Sequence, residues 1–117
     1  MLLIRKKQID ALEESEIAKF ETRMRQHLRT AFPDQTVALE DDALTALICH
    51  GMGKAKHHGI DMEWDVRRVI ECCLLLGPAF GEDAETAAAG DILRDDTLDG
   101  REKMDKIEQM DSNWARM

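Results

Sequence analysis

Three apolar stripes at helical spacing, each cut short by a residue that cannot continue a helix, constrain this chain more than any other feature. Ile17, Phe20, Met24, Leu28 and Ala31 recur at three- and four-residue intervals, which puts them on one face of a helix. Pro33 ends that helix, because the residue before a proline is pushed out of the helical region. Leu44, Leu47, Ile48, Gly51 and Ala55 repeat the pattern. Gly59 suits the left-handed position that closes a helix, with Ile60 as the apolar residue that follows. The third stripe is Val66, Val69, Ile70, Cys73 and Leu74, widened by Cys72, Leu75 and Leu76. A helix that is apolar nearly all round belongs in the middle of a bundle. Gly77-Pro78 stops it.

These stripes predict helices over 15–31, 41–58 and 63–76. Ser15 can serve as the first N-cap, although a helix over 5–13 can also run straight through it. Glu40-Asp41-Asp42 places negative charge at the second start, where the helix dipole favours it. Asp61 is a candidate N-cap for the third helix, with Glu63 in its first turn. Gly51 and Ala55, one turn apart, allow another helix to approach closely. Gly53, in mid-helix, costs about 1 kcal/mol against alanine. Further on, Ala84 to Leu93 reads as a short helix with Ala88, Ile92 and Leu93 inward. Asp99 and Glu102 have capping-box spacing at the head of a last helix from Gly100 to Trp114.

Strand formers are scarce, with no Tyr and 3 Phe in 117 residues. The fold expected is therefore all-α, a compact bundle of four to five helices in a single domain, 1–117. Within it, 1–14 is an N-terminal segment or short helix, 15–80 the core, and 81–117 a more variable C-terminal helical segment. A chain of this length buries enough surface to fold without disulfides or metals.

The net charge is −8, which argues against nucleic acid, since binding to a polyanion draws on Lys and Arg. Charge is uneven: residues 1–33 carry +2, 34–80 carry −4 and 81–117 carry −6. The first helical region could thus face an acidic surface. No apolar run approaches the roughly 20 residues of a membrane span. Met1 to Ile4 precede Arg5-Lys6-Lys7, the reverse of a signal peptide's charge order. With an odd number of cysteines as well, a cytoplasmic location is expected.

Candidate chemistry is thin. His50 and His57 lie two turns apart, about 10 Å along the helix axis, too far for one metal ion. The i, i+4 pair of helical zinc sites is absent, and Lys54 between them would repel a cation. Solvated histidines, with His57 and His58 in the last turn, are the plainer reading. Cys72-Cys73 lacks the spacer of a redox or zinc motif, and Cys73 faces inward as a small hydrophobe. Asp41-Asp42, Asp95-Asp96 and Glu13-Glu14 are sequence neighbours that point apart on a helix. Asp91 to Glu102 has the span of a calcium loop, but Asp96 stands where glycine is required. No catalytic residue, metal ligand or cofactor is expected, and the chain does not read as an enzyme. The remaining candidate is a stripe at the C-terminus: Met104, Ile107, Met110 and Trp114. It can pack in the core or bind a partner, since Met surfaces and Trp anchors suit helix recognition.

Several of these residues form a wider pattern. It comprises Ile4-Arg5 with Gln8, Phe20-Glu21-x-x-Met24-x-x-His27-Leu28, and Phe32-Pro33. Gly51, Gly59-Ile60, Glu63-x-Asp65-Val66 and Gly77-Pro78-x-Phe80 complete it. The pattern resembles a group of small helical proteins encoded beside effectors and spike proteins of bacterial type VI secretion systems. The resemblance covers residues 4–80, and Ala87-Ala88-Ala89-Gly90 departs from the more apolar, aromatic segment of that group. It implies a chaperone-like or adaptor-like partner of a secretion effector or of the adaptor that loads it. The alternative expectation is an immunity protein that blocks a toxin, for which acidity suits a basic target. A homodimer through Gly51 and Ala55, or through the C-terminal stripe, is a further possibility.

Overall fold

A computed structural model of the chain describes residues 14–114, with side chains to residue 110. The reading of 5–13 as a helix, and whether it joins the next one, lies outside the described residues. Six helices follow in order: α1 (Glu14–Ala31), α2 (Pro33–Thr36), α3 (Asp41–His57), α4 (Glu63–Leu76), α5 (Ala87–Leu93) and α6 (Gly100–Trp114). No strand is present among the described residues. The fold is an all-α bundle, with five helices of two turns or more and the single-turn α2. Its extents are 36 × 35 × 21 Å.

The three stripes do what their spacing requires. Phe20, Met24 and Leu28 of α1 are buried, as are Leu44, Ile48, Gly51 and Ala55 of α3. They meet Val66, Val69, Ile70 and Cys73 of α4, the central helix, which packs on α3 and on α6. Gly51 sets the α3–α4 distance: a Cβ there would sit 2.7 Å from Ile70 Cγ1 and 3.1 Å from Ile70 Cα. That close approach occupies the Gly51/Ala55 face inside the molecule, so it is not available to a second copy.

Several local expectations need correction. Ser15 lies within α1 and does not cap it. The segment after α1 is not all loop, because Pro33 sits at the first helical position, where its fixed φ and missing N–H are tolerated. Arg29 closes that connection by donating to the carbonyls of Thr36 and Leu39, each at 2.9 Å, and to Asp41 at 2.8 Å. Asp61 does not cap α4; Met62 holds the N-cap position with no side-chain hydrogen bond. There Glu63 and Asp65 supply the negative charge that the helix start favours. In α5 the inward residues are Ala89, Gly90 and Leu93, while Ala88 is exposed. The face turns because Gly90 packs directly on the carbonyl of Gly81, an approach no side chain would permit. Thr86 fixes the start of α5: its N–H and hydroxyl donate to Asp83, and its hydroxyl oxygen accepts from Gly81 N–H at 2.7 Å.

The capping box of α6 forms as its spacing implies. Glu102 N–H donates to Asp99 at 2.8 Å, and Asp99 N–H donates to Glu102 at 3.0 Å. Gly59 takes φ 72°, closing α3 in the left-handed region as expected.

Candidate functional site

The C-terminal stripe is divided by the fold. Met104 and Ile107 are each 0% exposed, packed into the same core as Phe20 and Ile70. Burying such side chains is worth about 2 kcal/mol each, so they serve the bundle and are closed to a partner while α6 is docked. Met110 is half-buried. Trp114 ends the helix, and its side chain lies outside the described residues.

The described surface offers a different aromatic. Trp64, in the first turn of α4, is 57% exposed. It falls off the Val66–Val69–Ile70–Cys73 stripe, and that departure was the sequence signal that could have found it. Arg67, one turn on, holds its guanidinium 4.8 Å from the centre of the Trp64 ring. The stacking restrains both side chains while leaving Trp64 more than half exposed. Beside them runs an open groove of about 780 Å³, with Met62, Trp64 and Arg67 on one side and Arg101, Asp105 and Glu108 on the other. His27 of α1 closes one end, its Nε2 2.6 Å from Glu71.

Beneath this groove Arg68 anchors the wall. Its guanidinium donates to Asp65 at 3.1 Å, Asp105 at 2.6 Å and Glu108 at 2.8 Å, joining α4 to α6. Burial raises the Asp65 carboxyl above its ordinary value, with the Arg68 hydrogen bond and charge opposing. The three carboxylates hold Arg68 firmly protonated against the burial that opposes its charge. Nothing in the linear pattern announced this cluster, because Arg68 meets two of its three acids across about 40 residues of chain.

A second and larger hollow, about 1260 Å³ and open to solvent, lies along the C-terminal half of α3 against the 78–82 loop, α5 and the start of α6. Its walls are basic although the chain is acidic. Lys54 is buried, with its ammonium 4.8 Å from the centre of the Phe80 ring and 2.8 Å from Glu82. Lys103 donates to the His58 carbonyl at 2.8 Å, satisfying one of the free carbonyls at the end of α3. His57 and His58 meet edge to face at 4.9 Å. Burial first, and then the charges of His57, Lys54, Lys103 and Arg94, push the His58 imidazole below its ordinary value. The hydrogen bond and charge of Lys54 hold Glu82 below the usual carboxylate range.

His50 lies 3.0 Å from the Pro78 carbonyl, away from His57 and His58. Among the described residues, no three His, Cys, Asp or Glu side chains converge as metal ligands would. Exposed Cys49 donates to Glu21 at 3.1 Å. Burial, and then that hydrogen bond and charge, raise its thiol above the ordinary value. Burial pushes Cys73 up to about 11. Neither thiol is therefore poised as a thiolate near neutral pH. The Asp91–Glu102 span is not a calcium loop: Asp91 accepts from Arg94, Asp95 accepts from Thr97, and Glu102 belongs to the capping box.

Fold and surface together define a small helical bundle with open surface hollows and an exposed, stacked tryptophan. Compared with known proteins, the chain matches no protein-family model, no curated protein and no solved structure. No helix among the described residues is long and apolar enough to cross a membrane.

Proposed function

We propose that this chain is a protein-binding accessory factor, acting in the cytoplasm as a chaperone or adaptor for a secretion effector or for the protein that loads it. The observation that carries the binding role is the Trp64–Arg67 pair. A large aromatic left 57% exposed costs solvation that folding does not recover, and Trp and Arg dominate the energetics of protein interfaces. The pair is pre-ordered by stacking, so little side-chain entropy is lost when a partner covers it. The charged residues around it form the polar rim that surrounds such anchors. The link to type VI secretion rests on the sequence pattern of residues 4–80 alone.

The test is affinity purification of the tagged chain from its own cells, alongside Trp64→Ala/Arg67→Ala. The expected result is one partner in equal amount, a secretion effector or its adaptor, that the double variant loses. Recovery of the protein alone would overturn the reading. The acidity of the chain, −8 overall, favours one rival: an immunity protein that covers a basic toxin surface. Co-expression separates the two, since an immunity protein neutralises toxicity whereas a chaperone raises the effector's solubility or secretion.

A further inference from the structure

Gly53 packs against nothing inside the molecule. It lies in mid-α3, where glycine costs about 1 kcal/mol relative to alanine. A Cβ built there meets nothing within 4 Å, so neither packing nor backbone strain requires its absence. Gly51, one half-turn earlier, shows the contrast, since its missing Cβ is what lets α4 approach. A helical glycine facing open space leaves room for a backbone to approach closely from outside.

The position of Gly53 indicates what that is. Gly53, Lys56 and Gly59 line the basic hollow on one side of α3 and, on the other, a smaller one of about 330 Å³. The smaller hollow is walled by Ile17, Met52, Ile60 and Val66, with Asp61 at its edge. The two hollows thus share a low ridge formed by the last turns of α3. The lining of the basic side carries Lys54, Lys56, Arg94 and Lys103 against Glu82 and Asp96, with Arg94 also paired to Asp91 at 3.1 Å. Buried Lys54 is ion-paired with Glu82, whose side chain is 65% exposed. Exposed Lys56 stands at the rim, where it would steer an approaching anion, beside an Arg94 that is paired with exposed Asp91.

We infer that this ridge is a docking surface for an acidic segment of a partner protein, laid across Gly53 with its carboxylates in the basic hollow and an apolar side chain in the Ile17–Ile60 hollow. The inference rests on the protein-binding reading and extends it, giving the chain a second surface on a different face from Trp64. Charge complementarity selects the occupant: the groove is cationic on a chain whose net charge is −8, so a basic partner would be drawn elsewhere. Beyond burial, the charges of His57, Lys54, Lys103 and Arg94 lower the His58 imidazole, as neighbouring cations must. Lys54 would exchange the Glu82 carboxylate for one from the partner, keeping its ion pair throughout.

The experiment is selection from a random displayed-peptide library on the full chain, run in parallel on Gly53→Leu, Lys56→Glu/Arg94→Glu and Trp64→Ala. The substituted positions are solvent-facing and are expected to leave the fold intact, checked by thermal melting. The wild type is expected to enrich peptides with clustered Asp or Glu beside an apolar residue. Their affinity should fall about tenfold or more in the charge-reversed variant and in Gly53→Leu, and be unchanged in Trp64→Ala. Enrichment without acidic bias, no enrichment, or acidic peptides indifferent to both groove variants would overturn the inference. Peptides lost only in Trp64→Ala would sink the groove and leave the protein-binding reading standing.

Discussion

Two glycines one half-turn apart on α3 offer a controlled experiment on how the bundle is held. Replacing either Gly51 or Gly53 with alanine gains the same helix propensity, about 1 kcal/mol. At Gly53 nothing opposes that gain, because the new Cβ meets no atom within 4 Å. Spread over 117 residues at about 2.1 cal/mol/K each, 1 kcal/mol raises the melting temperature by about 4 °C. At Gly51 the new Cβ would lie 2.7 Å from Ile70 Cγ1 and 3.1 Å from Ile70 Cα. Carbon atoms rest at about 3.5–4.0 Å, so Ile70 must leave its rotamer and α4 must retreat by a few tenths of an ångström. Overpacking of that kind costs about 1–3 kcal/mol. The propensity gain is common to both variants, so the difference between their melting temperatures, about 4–12 °C, isolates the steric cost. Differential scanning calorimetry of the two variants measures it. A Gly51→Ala protein that melts at or above Gly53→Ala would refute the argument that Gly51 sets the α3–α4 spacing.

Other expectations follow from the same geometry. Arg68→Met should lower stability to urea by about 3 kcal/mol, because it leaves the buried Asp65 carboxyl without its donor. Adding Asp65→Asn should restore part of the loss, and a single variant within 1 kcal/mol of wild type would show that the cluster does not fasten α6 to α4. His58 gives a signed pH dependence. Its folded imidazole resists protonation while the unfolded one titrates near 6.5, so below that value the unfolded state binds more protons and stability falls as pH drops. His58→Gln should flatten the loss between pH 7 and 5 in denaturant titrations, and an unchanged slope would assign it elsewhere. Trp64→Ala should leave the melting temperature nearly unchanged while abolishing partner capture. A large drop in stability would instead make Trp64 part of the core.

The stripes made most of the helical scaffold legible. Phe20, Met24 and Leu28, then Leu44 and Ile48, then Val66, Val69 and Ile70 are buried where their spacing places them. A helix repeats every 3.6 residues, so a one-sided apolar pattern is a local signal that survives without knowledge of neighbours. The reciprocal bonds of Asp99 and Glu102 were readable for the same reason, since both partners sit within one turn. The inward face of α5 was not. Ala88 and Ala89 have identical side chains, and only the approach of Gly90 to Gly81 decides which one turns inward.

The candidate surfaces divide the same way. Met104, Ile107 and Met110 share a helical face in the sequence, but whether that face meets a core or a partner depends on what lies opposite. Here the core takes Met104 and Ile107. Trp64 was detectable as an aromatic outside its stripe, whereas the basic hollow was not, because Lys54 of α3, Arg94 just after α5 and Lys103 of α6 are far apart in an acidic chain. Periodicity, caps and breakers act within a few residues, and so the sequence alone determined the long helices and the buried faces of α1, α3 and α4. Groove charge, the Arg68 cluster and the bare ridge at Gly53 arise between residues tens of positions apart, and only packing of the helices brings them together.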